Sequence, residues 1–404
     1  MIYHCEDHTC NYWDEGEKLP ERCPQCGRKL LRANEADMTG DDWTALGNTL
    51  WDAEASDKKR MVDCFRKAAY LGSAWGVCNL GICMEQGNGV EADPVQAFWL
   101  YQQAVEMGSL NAVCCLGVCY EYGIGTAPDA EKAAELYCKA AEYGSPRGQM
   151  LLARAFYDGI GVEADAAEAV HWVRAAAYQR YGEGMYWLGV CYEYGDGVEQ
   201  NWEHAVHWFR EAAESGVSAA MTDLGWCYEK GCGVEQSWEQ AFSWYRRGAE
   251  CGNPVSMSNL GLCYQRGYGV EQNWQEAIKW YEQGAQCGDL QSMHNLACCY
   301  ERGEGVEQNE DRALYWYRRS AEGGNGGAMC NLGRCYEMGH GVEQNWQEAV
   351  KWYEQGAQCG NLQSMNNLAY CYEYGEGVEQ NEERALYWYR RGAEAGRDYC
   401  MYCL

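Results

Sequence analysis

Proline and phenylalanine are scarce in this chain of 404 residues: 6 Pro and 5 Phe, against 31 Tyr, 18 Trp and 48 Gly. Bases are scarce too, with 32 Lys and Arg against 60 Asp and Glu and a formal charge of −28. Residues 1–33 hold six acids and five bases, so about −27 falls on the remainder and neither part is basic. Phosphate binding needs a clustered positive field, which argues against a nucleic-acid partner. No apolar run approaches the roughly 18 residues of a membrane-spanning helix. The first residues, MIYHCEDHTC, hold no apolar signal segment, and the expectation is a cytoplasmic protein. A chain that is 47% hydrophobic and 13% aromatic is not a disordered one. Length alone suggests two or three globular domains. Cysteine, by contrast, is abundant at 25 residues. In a long chain without a signal, that points to reduced thiols or metal rather than a secreted disulfide scaffold.

A leucine followed by a small residue recurs every 36 residues, at Leu80, Leu116, Leu152, Leu188, Leu224, Leu260, Leu296, Leu332 and Leu368, and Leu404 falls in the same phase. A fixed period of this length marks a solenoid. Each leucine predicts a first helix, with an aromatic one turn later, as at Leu188 and Tyr192. That helix stops at a Gly-x-Gly pair such as Gly231 and Gly233, since glycine accepts the left-handed turn that ends helices. A second helix starts after a ladder of capping residues: Asp57, Asp93, Asp129, Asp165, Asn201, Ser237, Asn273, Asn309, Asn345 and Asn381. Gln96, Glu168, Gln240, Glu276 and Glu348, three residues past a cap, fit a capping box, and Pro94 suits a first turn. Alanines such as Ala212 and Ala213 let helices approach closely. Tryptophans every 36 residues from Trp172 to Trp388 read as packing rather than as a cofactor site.

These residues resemble the Sel1-like repeat family, whose helix–turn–helix units are related to tetratricopeptide repeats. The matching features are LG-x-x-Y, the G-x-GV turn, Ala-x-x-Trp-Tyr and the Ala-x-x-Gly ending, over residues 41–404. The turn departs from the family in reading GVEQN where a proline is frequent. The resemblance implies an all-α, right-handed α/α solenoid of about ten 36-residue repeats spanning residues 34–404. Within it, 34–72 form a degenerate capping repeat, because Leu46 and Gly47 sit two residues out of phase. It also implies a scaffold or adaptor that binds a protein or peptide partner on the concave face.

Ahead of the solenoid stand Cys5, Cys10, Cys23 and Cys26, the last two in the knuckle CPQCG. A knuckle with a second cysteine pair about 12 residues away has the spacing of a four-thiolate metal site. The stretch CNYWDEGEKLPERCPQCG resembles the rubredoxin-like ribbon of rubrerythrins, over residues 3–30. Its first pair is Cys-x4-Cys rather than Cys-x2-Cys, so His8 stands as an alternative ligand to Cys5 or Cys10. Residues 1–33 are too few to bury much core, and metal would supply the folding energy. Zinc and iron both accept tetrahedral thiolates. With no di-iron partner evident in the solenoid, structural Zn2+ is the expectation and iron the alternative.

Eight further cysteines keep the repeat phase: Cys83, Cys119, Cys191, Cys227, Cys263, Cys299, Cys335 and Cys371. Equivalent helices lie roughly 8–10 Å apart, beyond the ~7 Å Cα separation a disulfide spans. They read as buried apolar filler. Cys251, Cys287 and Cys359 read as the bottom of second helices. Cys400 and Cys403, on a half helix ending at Leu404, are open to redox or metal duty.

Val270–Gly324 and Val342–Gly396 align without gaps and differ at 8 of 55 positions. Three differences, His294/Asn366, Cys298/Tyr370 and Arg302/Tyr374, are spaced i, i+4, i+8 and form one stripe on the first helix. Elsewhere the stripe reads Tyr186, Val190, Tyr194; Thr222, Trp226, Lys230; Ser258, Leu262, Arg266; and Cys330, Arg334, Met338. Variation beside constant neighbours predicts an exposed surface. Aromatic and arginine side chains are the composition of interface anchors. Lys230, Arg266 and Arg302 share one phase and predict a basic rail inside an acidic shell.

Catalytic motifs are few. Ser56-x-x-Lys59 fits the nucleophile spacing of penicillin-recognising enzymes but has no Lys-Thr-Gly partner. His204 and His207 complete no metalloprotease signature and read as solvent-facing. The expectation is a non-enzyme with no small-molecule substrate. The alternatives are a β-lactam-binding or hydrolysing Sel1-like enzyme and electron transfer through an iron ribbon.

Overall fold

The computed structural model describes residues 2–5, 13–15, 30–33, 35–51 and 55–402. Cys10, Cys23, Cys26, His8, Cys403 and Leu404 lie outside the described residues, and Cys5 and Cys400 are described in their backbone alone. Three strands, β1 (Ile2–Cys5), β2 (Trp13–Glu15) and β3 (Leu30–Ala33), form an antiparallel sheet in the order β2-β1-β3. The register sets His4 opposite Trp13 and Cys5 opposite Leu30.

The other described elements are helical, and the chain divides into two compact units, Met1–Asn201 and Trp202–Leu404. After a 3-10 turn at Glu35–Asp37, the first unit carries α1 (Gly40–Thr49), α2 (Ala55–Tyr70), α3 (Ala74–Gln86), α4 (Pro94–Glu106), α5 (Leu110–Tyr122), α6 (Ala130–Glu142), α7 (Pro146–Asp158), α8 (Ala166–Tyr178) and α9 (Gly182–Tyr194). The second carries α10 (Trp202–Glu214), α11 (Ser218–Lys230), α12 (Trp238–Glu250), α13 (Pro254–Arg266), α14 (Trp274–Gln286), α15 (Leu290–Arg302), α16 (Glu310–Glu322), α17 (Gly326–Met338), α18 (Trp346–Gln358), α19 (Leu362–Tyr374) and α20 (Glu382–Tyr402). From α3 to α19 each helix has 13 residues, so the 36-residue period resolves into two equal helices and two turns.

Each first helix ends as its glycines require. Gly231 sits at φ 74° and its amide bonds back to the Cys227 carbonyl. Gly233, at φ 68°, lies against the start of α10, where an added Cβ would collide with the Trp202 carbonyl oxygen. The cap ladder accepts the expected first-turn amides at Asp93, Asp129, Asp165, Ser237, Asn273, Asn309, Asn345 and Asn381. The reciprocal bond of a capping box is recorded at Thr39 and Asp42, at the start of α1. Asp57 departs from the expectation: it lies inside the first turn of α2, because the first pair is joined by a shorter, out-of-phase connection. A second ladder, Ser73, Ser109, Ser145, Asn253, Asp289, Asn325 and Asn361, caps the first helices in the same period. The half helix expected after Gly396 is not separate. Arg397 occupies the phase of those caps, and α20 runs on unbroken to Tyr402.

Packing within a pair rests on one contact. In α12 the ring of Tyr245 is 1% exposed and lies against the first helix, where a methyl group on Gly225 would stand 2.6 Å from its Cε1. Its hydroxyl donates to a Glu229 Oε2 at 2.9 Å. Gly117 faces Tyr137, Gly261 faces Tyr281 and Gly333 faces Tyr353 in the same way, and Gly47 faces Phe65 in the capping pair. The small residue after the repeat leucine is therefore a seat for an aromatic ring. The phased tryptophans are half-buried against the core, as at Trp172, Trp280, Trp316 and Trp388.

Truncating such a ring removes both cavity-filling area and the hydrogen bond. Tyr245→Phe is expected to cost about 1 kcal/mol and Tyr245→Ala about 3–5 kcal/mol. Chemical denaturation checks this, and an alanine variant as stable as the phenylalanine variant would contradict it.

Candidate functional site

Seven tyrosines of the second helices donate to the residue 16 positions earlier. Tyr101 bonds Glu85 at 2.6 Å, Tyr137 bonds Glu121 at 2.6 Å, Tyr281 bonds Gln265 at 2.6 Å and Tyr317 bonds Glu301 at 2.7 Å. Tyr245, Tyr353 and Tyr389 do the same to Glu229, Glu337 and Glu373. Burial pushes these phenols up, with the neighbouring carboxylates adding to it at Tyr137 and Tyr245. They stay neutral donors.

The eight phased cysteines are all buried. Burial pushes seven of these thiols up, to about 11 at Cys83 and Cys191 and about 12 at Cys119, Cys263, Cys299, Cys335 and Cys371. Thiols held neutral are filler, not nucleophiles. Cys251, Cys287 and Cys359 are exposed at the C-terminal ends of α12, α14 and α18.

The stripe is graded rather than uniformly exposed. Its first position is buried at Thr222, Ser258 and Cys330, which corrects the expectation of an exposed row. That position sits one turn into the helix, where the neighbouring pair covers it: the Thr222 hydroxyl lies 2.6 Å from that of Ser256. The second position is half-buried at Val190, Leu262 and Arg334 and exposed at Trp226 and Tyr370. The third is exposed at Tyr194, Lys230, Arg266, Arg302, Met338 and Tyr374, while Tyr186 is half-buried. In the second unit, Trp226 packs on Trp202 at 5.7 Å and Tyr370 on Tyr374 at 4.6 Å between ring centroids. Two cations of the rail stand beside carboxylates, Lys230 at 2.8 Å from Glu229 and Arg302 at 3.9 Å from Glu304, and at the second stripe position Arg334 lies 3.8 Å from Glu301. The face is therefore aromatic with alternating charge rather than a positive field.

A nucleophile and a base meet on α15. Cys298 Sγ lies 3.7 Å from His294 Nε2 and 3.3 Å from the Tyr317 hydroxyl oxygen. Burial pushes His294 down and Cys298 up, which favours a neutral thiol beside a neutral imidazole rather than an activated thiolate. His204 and His207 are exposed, as expected.

The first unit contains a cavity of about 590 Å3 between α7 and α9, floored by α8. Ala153, Tyr157, Val173, Tyr181, Trp187 and Val190 line it, with Arg147, Arg154, Glu183 and Asp196 around them. Val190 alone belongs to the predicted stripe residues. The other lining residues were missed because the period was read for what recurs. Their signal is departure from it. Val173 stands in the phase of the ladder tyrosines and Tyr157 in that of their glutamates. Arg180 stands where Gly72, Gly108, Gly144, Gly216 and Gly252 take a positive φ, and itself adopts φ 59°. Tyr181 stands in the phase of the serine caps and makes no side-chain cap bond.

The geometry defines an all-α solenoid of paired, equal helices carrying an exposed aromatic stripe. The Sel1 repeat family model matches residues 76–109, 112–145, 146–181, 182–217, 218–253, 254–289, 290–325, 327–361 and 362–396. The chain belongs to the Sel1 repeat family. It is similar to a protective antigen of uropathogenic Escherichia coli strains that displays an SLR fold, with 27% identity, a TM-score of 0.52, and coverage of 90% of this chain and 88% of that one. It is also similar to a Sel1 repeat protein from Oxalobacter formigenes, with 33% identity, a TM-score of 0.56, and coverage of 60% of this chain and 96% of that one. None of the curated proteins compared matches the chain. Among the described residues, no helix is long and apolar enough to cross a membrane.

Iodoacetamide at pH 8 is expected to alkylate Cys251, Cys287 and Cys359 and to spare the phased thiols, which peptide mapping reads directly. Because those thiols are neutral in the fold but ionise near 9.0 when exposed, their stabilising contribution is present below about pH 9 and lost as pH rises toward 12. A denaturation midpoint unchanged between pH 8 and pH 11 would contradict this.

Proposed function

We propose that the protein is a non-enzymatic, cytoplasmic interaction scaffold. A protein or peptide partner docks on the stripe of its first helices, through Tyr186, Val190, Tyr194, Trp226, Lys230, Leu262, Arg266, Arg302, Arg334, Tyr370 and Tyr374. The observation that carries this is the run of exposed rings and guanidinium groups at the last two stripe positions, on a buried frame that repeats without them. Such groups desolvate large area at low entropic cost and dominate interface energetics. Alternating charge along the stripe suits a partner of mixed charge and suits nucleic acid poorly.

The N-terminal segment, residues 1–33, is a zinc ribbon in this reading, with residues 34–404 forming the solenoid domain and Cys5, Cys10, Cys23 and Cys26 holding Zn2+. The strand register supports it. Cys5, Trp13 and Leu30 lie at one end of the sheet. Cys10 precedes Trp13 by three residues and Cys26 precedes Leu30 by four, within a reach of about 14 Å. A set of four thiolates suits a tetrahedral metal that contributes folding energy.

Two measurements test the reading. Lys230→Glu, Arg266→Glu and Arg302→Glu together are expected to weaken a partner recovered by affinity purification by about tenfold or more. Unchanged affinity would remove the stripe from the interface. Elemental analysis is expected to find one zinc per chain in a colourless protein, lost in Cys23→Ser with Cys26→Ser. Iron with visible absorbance would instead favour electron transfer.

A further inference from the structure

The cavity between α7 and α9 is the place of a missing side chain. In five pairs a tyrosine from the second helix fills the equivalent space, its ring against the glycine after the repeat leucine and its hydroxyl on the preceding helix. In the α7–α8 pair the residue in that phase is Val173, one ring too small. Tyr157, which replaces the acceptor glutamate, turns its hydroxyl outward to Asp196 Oδ2 at 3.0 Å and is 55% exposed. Four departures from the chain's own repeat, at 157, 173, 180 and 181, thus fall on or beside one cavity. One of them, Arg180, holds a backbone conformation that non-glycine residues adopt at a cost.

The walls fit an aromatic ring. Trp187, Val190 and Val170 are apolar, and Trp187 is 45% exposed at the opening. Two guanidinium groups flank it in fixed positions. Arg154 is held by Glu121 and by the Tyr122 hydroxyl, the latter at 2.9 Å, and Arg147 donates to Cys115 Sγ at 3.5 Å. A ring entering the cavity gains the burial that the ladder tyrosines gain, and a cation beside its face adds to it.

We propose that this cavity is an anchor pocket for an aromatic side chain, phenylalanine or tyrosine, presented by a peptide segment of the protein partner. The occupant completes from outside the ring position that the chain leaves vacant at Val173. The inference rests on the protein-binding reading above and assigns it a specific anchor.

Val173→Phe fills the pocket from within and has a precedent in the buried Phe209, which stands in the same phase. Val173→Ala widens it. The probes are N-acetyl-phenylalanine amide, N-acetyl-leucine amide and N-acetyl-alanine amide, followed by saturation-transfer NMR. The aromatic amide is expected to bind about tenfold more tightly than the alanine amide. Val173→Phe abolishes that preference and Val173→Ala keeps it. No ring preference, or equal ring binding by folded Val173→Phe, overturns the pocket. Peptides selected from a random library on the native protein should carry an aromatic residue at one fixed position and lose about tenfold in affinity on Val173→Phe. If Val173→Phe leaves them unaffected while the stripe charge reversals weaken them, the pocket is overturned and the scaffold reading stands. If the aromatic amide binds but no peptide is selected, the peptide occupant is overturned together with the scaffold reading.

Discussion

A tyrosine ring lying on a glycine, with its hydroxyl on a carboxylate one helix back, is the contact on which the rest of this molecule depends. It sets how closely the two helices of a pair approach, because the ring replaces the side chain the glycine lacks. It also ties the two helices together at the edge of the core, through the bond from the hydroxyl to its acceptor. The cysteine two residues after that glycine then faces the interior, where a small unbranched side chain fits and a larger one does not. Tyrosine rather than phenylalanine dominates the interior for the same reason: a buried ring that spans from core to edge can end in a polar group that finds a partner.

The period made the helices, their turns and most of their caps legible. Repeats state their architecture many times over, and one helix-ending glycine pair seen nine times leaves little doubt about what it does. Where the reading failed, the local context had changed. Asp57 has the right residue type but lies two residues inside α2, because the first pair is joined by a shorter connection. Thr222, Ser258 and Cys330 vary between copies yet are buried, since small polar and thiol groups exchange for one another beneath a neighbouring helix. Variation alone therefore did not separate a surface from a tolerant core. The cavity was missed for a complementary reason: a consensus shows what recurs, and a vacancy consists of what does not.

The charge of −28 takes on a different meaning once the side chains are placed. Several of the acids are not a diffuse shell but the acceptors of the tyrosine ladder, and others sit beside the stripe cations. What the face offers is rings set among paired charges, a pattern that selects by fit more than by long-range attraction. The same frame thereby serves two ends. Its buried ladder is nearly invariant along the chain, and its outward positions are free to differ from copy to copy.

The most direct test of the central contact is to build it where the chain lacks it. A double-mutant cycle with Val173→Tyr and Tyr157→Glu restores both members of the ladder pair in α7 and α8. The account predicts a favourable coupling of about 1 kcal/mol or more in unfolding free energy, with the double variant more stable than either single one. Zero or unfavourable coupling between the two substitutions would contradict it.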